Sequence, residues 1–192
     1  MRLKQEGLCE EFVKEGSGKM LKYRPLIDQD ANNYRNIRLE ALNKSPESFA
    51  TSFEEEQQVS AEVFQLRLKA EGATTLGVFH SEDLIGVVTL LFEQKQKLKH
   101  RATLVAMYVQ PDHQGKGMGR ELLQYAITFA RKKQGIEQIY LTVVSTNDRA
   151  KRLYESLGFR CYGVDKRALK RTNETYADED MMVLDLKENM NE

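Results

Sequence analysis

The chain has 192 residues, a length that suits one well-packed domain and is short for two. Its 29 lysine and arginine residues equal its 29 aspartate and glutamate residues, so its overall charge favours neither nucleic acid nor an anionic membrane as a partner. Two cysteines without a CxxC pair, an amino-terminal segment without an apolar leader and the lack of any apolar run of membrane-spanning length predict a reduced, cytoplasmic protein.

The first 19 residues are interpreted as an extension that precedes the domain. Gly16-Ser17-Gly18 has the composition of a flexible joint, and residues 20–24 are predicted to form the first strand of a domain that runs from residue 20 to residue 192. The extension itself fits either a short helix or a disordered segment, and the sequence leaves both open. The apolar residues that such a helix would turn inward are Leu8, Phe12 and Val13.

Three helices are predicted in the first half of the domain. Asp28, which follows Pro25, is a suitable N-cap for a helix that runs to about Leu42. A second helix is expected to start at Ser45-Pro46-Glu47, because proline is tolerated in a first turn and glutamate favours the positive end of a helix. The third helix is expected from Ala61 to Ala70.

A β-hairpin and a polar loop follow the helices. Two stretches rich in apolar and β-branched residues, Thr75–Phe79 and Leu84–Phe92, are joined by four polar residues. This pattern is typical of a hairpin. The lysine-rich segment Glu93–Arg101 is predicted to be an exposed connection rather than a binding patch.

The second half of the chain alternates strands with helices. The predicted strands are Thr103–Val109, Ile139–Val144, Phe159–Val164 and Tyr176–Leu186, and the predicted helices are Met118–Lys133 and Asn147–Leu157. In the first of these helices apolar residues recur every four positions, which predicts one buried face. Gly158 is well placed to end the second helix.

The segment from Gln114 to Arg120 is rich in glycine and lies between a predicted strand and a predicted helix. The first N–H groups of a helix have no partner within it and the helix dipole favours an anion there, so this arrangement suits a phosphate group. The glycines permit a close approach, and Lys116 and Arg120 add positive charge. The spacing matches neither the P-loop nor the dinucleotide-binding glycine pattern. From these residues alone, a turn whose glycines serve only backbone geometry stays open as the alternative.

Two longer patterns make this loop specific. Residues 107–119 read M-Y-V-x-P-x-x-Q-x-x-G-x-G, and residues 144–159 read V-x-x-N-x-x-A-x-x-L-Y-x-x-L-G-F. The first pattern resembles motif A, and the second is similar to motif B, of the GNAT superfamily of acyl-CoA N-acetyltransferases. The two motifs occur in the family's order, and the resemblance in element order extends from about Met20 to Leu186.

The resemblance implies an α/β (α+β) fold with a mixed, mostly antiparallel central sheet, helices on both faces and central strands that splay apart. It also implies acetyl-CoA as the acetyl donor, with the pantetheine arm inserted between the strands that end at Val109 and Val144. The residues implied in binding it are Met107, Tyr108, Val109, Gln114, Gly115, Lys116, Gly117, Met118, Gly119, Arg120, Asn147 and Tyr154.

The resemblance assigns narrower roles to four of these residues. Backbone groups of Met107 and Val109 would pair with the pantetheine amides, and the N–H near Val109 would stabilise the oxyanion formed when an amine attacks the thioester. Asn147 would bind the pantetheine or fix the loop, and Tyr154 would protonate the leaving thiolate as general acid. Asn147 and Tyr154 each have a structural alternative. Asn147 is a favourable helix N-cap, and Tyr154 lies on an apolar stripe typical of core tyrosines.

The general base is where the sequence departs from the family pattern. Many family members carry a glutamate on the fourth strand, whereas the matching segment here, residues 102–106, contains Thr103 and no carboxylate. Carboxylates from elsewhere would then relay the proton through water. The residues expected at the acceptor site are Phe53, Glu55, Glu56 and Tyr176, with Asp178 and Glu179 nearby. If several of the carboxylates in Glu54–Glu56 and Asp178–Asp180 face the cleft, the acceptor is expected to be a cationic amine. The alternative for each is a solvated helix face or loop.

The predicted function is direct transfer of the acetyl group to a primary amine of a small molecule or peptide. No cysteine nucleophile is expected, because Cys9 and Cys161 lie outside both motifs, and no metal site is expected, because the three histidines are scattered. Two alternatives stay open. One is a regulatory domain that binds acetyl-CoA without turnover, which the missing carboxylate at Thr103 favours; the other is an unrelated α/β protein. Pairing of two chains through apolar edge strands is a further expectation.

Overall fold

The computed structural model describes residues 11–16, 19–171 and 174–187, and within these ranges the chain forms one eight-stranded sheet with helices against it. The strands are β1 (Phe12–Gly16), β2 (Lys19–Pro25), β3 (Ala73–His80), β4 (Asp83–Phe92), β5 (Arg101–Val109), β6 (Gln138–Val144), β7 (Arg160–Lys170) and β8 (Tyr176–Asp185). The helices are α1 (Ala31–Lys44), α2 (Phe53–Gln57), α3 (Ala61–Lys69), α4 (Met118–Lys132) and α5 (Asp148–Glu155). None of the helices in these ranges combines the length and apolarity that a membrane crossing requires.

The strand order is β1-β2-β3-β4-β5-β6-β8-β7. Neighbouring strands are antiparallel everywhere except between β5 and β6, which are parallel. The mixed, mostly antiparallel sheet expected from the sequence is therefore confirmed.

Helices cover both faces of the sheet. The core on one face joins α4 to the sheet, and its fully buried members include Val88, Leu122 and Leu123. The core on the other face joins α1 and α3 to the sheet, and its buried members include Ile37, Phe64 and Val87. Val87 and Val88 are adjacent in β4 but belong to different cores, because successive side chains of a strand point to opposite faces. This sheet is thus buried on both sides.

Residues 12–16 form a strand, although the sequence left only a helix or disorder open for the extension. β1 pairs antiparallel with β2, and Phe12 and Val13, which a helix was expected to turn inward, are 52% and 48% exposed. Leu8 and Cys9 lie outside the described residues.

A contact with helix α4 explains where this first strand is attached. The Lys14 Nζ lies 2.5 Å from Glu121 Oε1, and the Tyr23 hydroxyl donates to Glu121 Oε2 at 2.7 Å. Tyr23 is fully buried, so its hydroxyl requires such a partner. The contact joins residues about 100 positions apart. A local sequence pattern cannot predict a contact between residues so far apart in the chain.

The connection from α1 to α2 also differs from the prediction. Pro46–Ser48 forms a 3-10 turn instead of opening a helix, and α2 begins only at Phe53. Its start is fixed by a capping box, in which Ser52 and Glu55 satisfy each other's backbone N–H groups. The turn and Phe49, which directly follows it, line the cleft between β5 and β6.

The parallel strands β5 and β6 stay together for only a short distance. Residues 101–103 of β5 pair with residues 138–140 of β6, and no pairing continues beyond them. On its other edge β5 stays paired with β4, but it contains one extra residue, since Val105 faces Thr89 and Tyr108 faces Val87. Ala106 within this bulge has a positive φ of 54°. A bulge bends the strand that carries it. Beside the bulge in β5, the sheet opens into a gap between β5 and β6.

Candidate functional site

A cleft of about 500 Å³ lies where β5 and β6 diverge. Three parts of the chain converge on it: the gap-facing end of β5 with the glycine loop, the end of β6 with the start of α5, and the connection from α1 to α2. The residues that line it from the two motifs include Met107, Tyr108, Val109, Gln114, Gly115, Gly117, Gly119, Arg120, Asn147, Arg149 and Tyr154. The remaining wall is lined by Ser45, Glu47, Ser48 and Phe49. This cleft brings both sequence motifs together.

The backbone of β5 presents unpaired polar groups to the cleft. The Gln110 N–H donates to the Ile85 carbonyl at 2.9 Å, so in the register that pairs Val109 with Gly86 the bonds to β4 are made by residues 108 and 110. The backbone groups of Val109 and Met107 therefore point away from β4, toward the gap. An extended ligand chain in the gap would find the N–H and C=O groups of Met107 and the N–H group of Val109 available.

The glycine loop places the start of α4 at one end of the cleft. Gly115 and Gly117 have φ values of 75° and 84°, a left-handed conformation that favours glycine, and Gly117 is the residue before the helix. A Cβ at Gly115 would meet nothing within 4 Å, and a Cβ at Gly117 would meet only Glu121 Oε1 at 3.9 Å. A side chain at Gly119 would touch Met107 and Leu153 at about 3.5 Å and 3.7 Å, so the helix starts close to both walls. The first N–H groups of α4 are thus accessible to an anion.

Gln114 is a clamp within the loop. Its Nε2 donates to the Val109 carbonyl at 2.8 Å, and its Oε1 accepts from Arg149 Nη1 at 2.9 Å. The bonds connect the end of β5, the loop and the first turn of α5. They leave the Val109 N–H facing the cleft.

Arg149 is a lining residue that the sequence reasoning missed. It is exposed and projects from the first turn of α5, two residues after Asn147. Of the loop cations that were expected, Arg120 lines the cleft and is bonded to Ser156, whereas Lys116 turns away and donates to the Asp112 carbonyl at 2.8 Å. The only signal for Arg149 in the sequence was its position in motif B. The helix dipole does not explain a basic residue in the first turn, since that end of a helix favours negative charge.

Asn147 caps a helix and also lies at the cleft. Its Oδ1 accepts the Ala150 N–H at 3.1 Å, which caps α5, and the same residue lines the cleft. Capping uses the oxygen of the amide and leaves the side-chain NH2 available. Its role as a cap therefore leaves Asn147 able to donate a hydrogen bond to a ligand in the cleft.

Tyr154 lies at the floor of the cleft. It is 7% exposed, and its ring packs against Phe159 at a centroid distance of 5.8 Å. Its hydroxyl makes no hydrogen bond within the part of the chain that the structure describes. Burial raises the pKa of Tyr154 to about 12, so the phenol keeps its proton at neutral pH. A protonated hydroxyl that faces the cleft is able to donate a proton.

Asp180 of β8 anchors the far wall of the cleft. Its Oδ1 accepts from the Ser145 hydroxyl at 2.5 Å and its Oδ2 pairs with Lys151 Nζ at 2.7 Å. Lys151 belongs to α5 and Ser145 directly follows β6, so one buried carboxylate joins three elements. Hydrogen bonds from Lys151 and Ser145 hold the pKa of Asp180 below its usual range.

The residues expected at the acceptor site do not line the cleft. Glu55 accepts the Ser52 N–H at 2.8 Å as part of the α2 cap, and Glu56 is buried against Arg67 and Arg38. The other two, Phe53 and Tyr176, are partly buried and exposed, respectively. Met118, expected at the donor site, packs on the core.

No group of three or more His, Cys, Asp or Glu side chains in the described ranges is arranged to hold a metal ion.

Comparisons with known proteins agree with this geometry. A family model for the acetyltransferase (GNAT) family matches residues 36–159, more than half of the chain. Streptothricin acetyltransferase of Streptomyces lavendulae is 32% identical over 96 residues, which cover 50% of this chain and 49% of that protein. The ribosomal protein bS18-alanine N-acetyltransferase of Escherichia coli strain K12 is 41% identical over 68 residues, which cover 35% and 45%. The chain thus spans about half the length of the curated relatives it matches.

A solved structure shares the fold over most of both chains. The structure of yncA from Salmonella typhimurium, solved with its cofactor acetyl-CoA, superposes with a TM-score of 0.75 and covers 86% of this chain and 94% of that one. At 22% identity, the likeness shows the fold alone.

We predict that Asp180→Asn lowers the free energy of unfolding by about 2 kcal/mol at neutral pH, because the amide cannot accept two charge-assisted bonds. Since the pKa of Asp180 is depressed in the folded protein, its stabilisation is present above the unfolded pKa and is lost as the pH falls. The difference between the two proteins is therefore expected to shrink below about pH 4.

Urea unfolding of both proteins at several pH values measures this difference. Asp165→Asn, an exposed aspartate on β7, is the matched control and should change nothing. Equal stability of wild type and Asp180→Asn at neutral pH would contradict the anchoring role.

Proposed function

The chain belongs to the acetyltransferase (GNAT) family, and we propose that it transfers the acetyl group of acetyl-CoA directly to a primary amine of a small molecule or a peptide. The observation that carries the proposal is the cleft itself, in which free strand backbone and the start of a helix converge. The named activities of the curated relatives, one on streptothricin and one on a protein alanine, support an amine as the acceptor.

The residues present fit acetyl-CoA. The open, left-handed glycines Gly115 and Gly117 leave the α4 N–H groups accessible, and Arg120 and Arg149 supply positive charge beside them, so this end of the cleft suits the phosphates. The gap-facing groups of Met107 would pair with the amides of the pantetheine arm. A volume of about 500 Å³ is in the range of cofactor clefts.

Bound acetyl-CoA supplies a thioester carbonyl that an amine can attack. The Val109 N–H, held toward the gap, stabilises the negative charge that develops on the carbonyl oxygen. Tyr154, protonated at neutral pH, would donate its proton to the departing sulfur. The attacking amine would lose a proton to water in the cleft, and the Tyr154 phenolate would regain a proton from water. Cys161 is exposed on β7 and does not line the cleft, which supports direct transfer without an enzyme-bound acetyl group.

The acceptor enters past the connection from α1 to α2, where Ser45, Glu47 and Phe49 line the cleft. Because Glu47 is the one carboxylate among the lining residues, the acidic set expected to select a cationic amine is not assembled there. The acceptor is therefore a primary amine that needs no additional positive charge. A cytoplasmic location and pairing through edge strands stay predictions of the sequence.

We predict that Arg149→Gln raises the KM for acetyl-CoA about tenfold, because a charge-assisted contact to phosphate is lost. The KM for S-acetylpantetheine, which has no nucleotide phosphates, should stay unchanged. Steady-state kinetics with both donors measures the two constants. Arg152→Gln, an exposed arginine on the same helix outside the cleft, is the control. Equal effects of Arg149→Gln on both donors would contradict a phosphate contact.

We predict that wild-type protein releases free CoA from acetyl-CoA in the presence of a suitable primary amine, and that Tyr154→Phe lowers kcat about 100-fold. The hydroxyl is lost while the ring stays packed, so the affinity for acetyl-CoA should not change. A thiol-release assay over a panel of polyamines, amino acids and peptides measures turnover, and calorimetry measures affinity.

Tyr162→Phe, an exposed tyrosine on β7, is the matched control and should retain full activity. Binding of acetyl-CoA without thiol release for any amine would favour the sensor alternative instead. Wild-type kcat in Tyr154→Phe would remove the general acid from the mechanism.

A further inference from the structure

We infer that Glu40 is a positioning residue for the transfer reaction, because its carboxylate holds the residues on both sides of Val109 and so fixes the direction of the Val109 N–H. The inference rests on the proposed function, in which that N–H stabilises the oxyanion. Glu40 lies on α1 and belongs to neither sequence motif.

One carboxylate makes both bonds. Glu40 Oε1 accepts from the Tyr108 hydroxyl at 3.0 Å, and Glu40 Oε2 accepts from Gln110 Nε2 at 2.8 Å. Residues 108 and 110 are two positions apart in extended backbone, so their side chains leave the strand on the same face. Val109 itself packs in the core on the α4 face, whereas Tyr108 packs in the core on the α1 face. Glu40 therefore spans the backbone of Val109 on the α1 face of the sheet.

The position needs such a restraint. From residue 104 onward β5 has lost its partner β6, and the bulge at Ala106 separates the strand end from its regular part. Beyond the bulge the strand is held by β4 on one edge and by Gln114 at the Val109 carbonyl. A strand end with one free edge can rotate about its remaining contacts. Two bonds to a helix in another layer oppose that rotation.

The chemistry of Glu40 suits this role. Within the described ranges it forms no ion pair, and both of its oxygens accept bonds from neutral donors, which a carboxylate can do and an amide or hydroxyl cannot. Burial, followed by the bond and the charge of Glu40, raises the pKa of Tyr108 far above its usual range, so Tyr108 stays a donor. In this pair Tyr108 is therefore the donor and Glu40 the acceptor.

Removal of the carboxylate should leave the fold intact. Glu40 and Gln110 border a second cavity of about 280 Å³ on the α1 face, so water can occupy the space left by a truncated side chain. The expected consequence is loss of alignment at Val109 rather than loss of structure.

The test compares wild type with Glu40→Ala and Glu40→Gln. A misdirected oxyanion donor should lower kcat roughly tenfold in Glu40→Ala, with the KM for acetyl-CoA and the Kd for CoA unchanged. Glu40→Gln keeps an acceptor for Tyr108 and should recover part of the rate. Glu71→Ala, an exposed glutamate before β3, is the control with wild-type kinetics.

Infrared difference spectra of bound acetyl-CoA, labelled with 13C at the carbonyl, give a second and independent measurement. The hydrogen bond from Val109 should lower the carbonyl frequency in wild type, and Glu40→Ala should move it back toward the value in solution. This measurement needs binding but no turnover, so it separates failure of the Glu40 role from failure of the proposed activity.

Three results would overturn the inference. An unchanged kcat together with an unchanged carbonyl frequency in Glu40→Ala would show that Val109 needs no support from α1. A loss of CoA affinity as large as the loss of kcat would show a general collapse of the cleft. Absence of any carbonyl shift in wild type would show that no donor is aimed at the carbonyl.

Discussion

The structure depends on the short region over which β5 and β6 pair. Among the described residues these are the only two neighbouring strands that run parallel. β5 and β6 are bonded over residues 101–103 and 138–140 and then separate, which leaves one edge of each strand without a partner inside the sheet. An unpaired strand edge buried in a domain has a high free-energy cost unless its polar groups find partners. Here the unpaired groups line a cleft of about 500 Å³, and an extended ligand can bond to them.

The rest of the molecule keeps that gap open and its walls fixed. The core on the α4 face and the core on the α1 face hold the sheet from both sides, while polar contacts fix the strand ends. Glu40 and Gln114 restrain β5 around Val109, and Asp180 restrains β6 through Ser145 and Lys151. The bond from Gln114 to Val109 is local, whereas the contacts of Glu40 and Asp180 join elements far apart in the chain, so the cleft depends on tertiary structure.

This distinction explains what the sequence could predict. The glycine loop, the amphipathic α4 and the N-cap at Asn147 follow from local patterns, and the two motifs identify the family. The acceptor wall, the strand β1 and Glu40 depend on long-range contacts, for which one sequence has no signal. The expectation for the acidic run at residues 54–56 was wrong for the same reason, because the buried Glu56 pairs with Arg38 and Arg67 and Glu55 caps a helix.

Calorimetry of acetyl-CoA binding to wild type and to Gly117→Glu tests the phosphate site at the start of α4. Gly135→Glu is the matched control, because Gly135 has a φ of 86°, close to the 84° of Gly117, but lies outside the cleft. The account predicts that wild type and Gly135→Glu bind acetyl-CoA and that Gly117→Glu does not, since an anionic side chain would occupy the phosphate position. Equal binding by all three proteins would contradict a phosphate site at the start of α4.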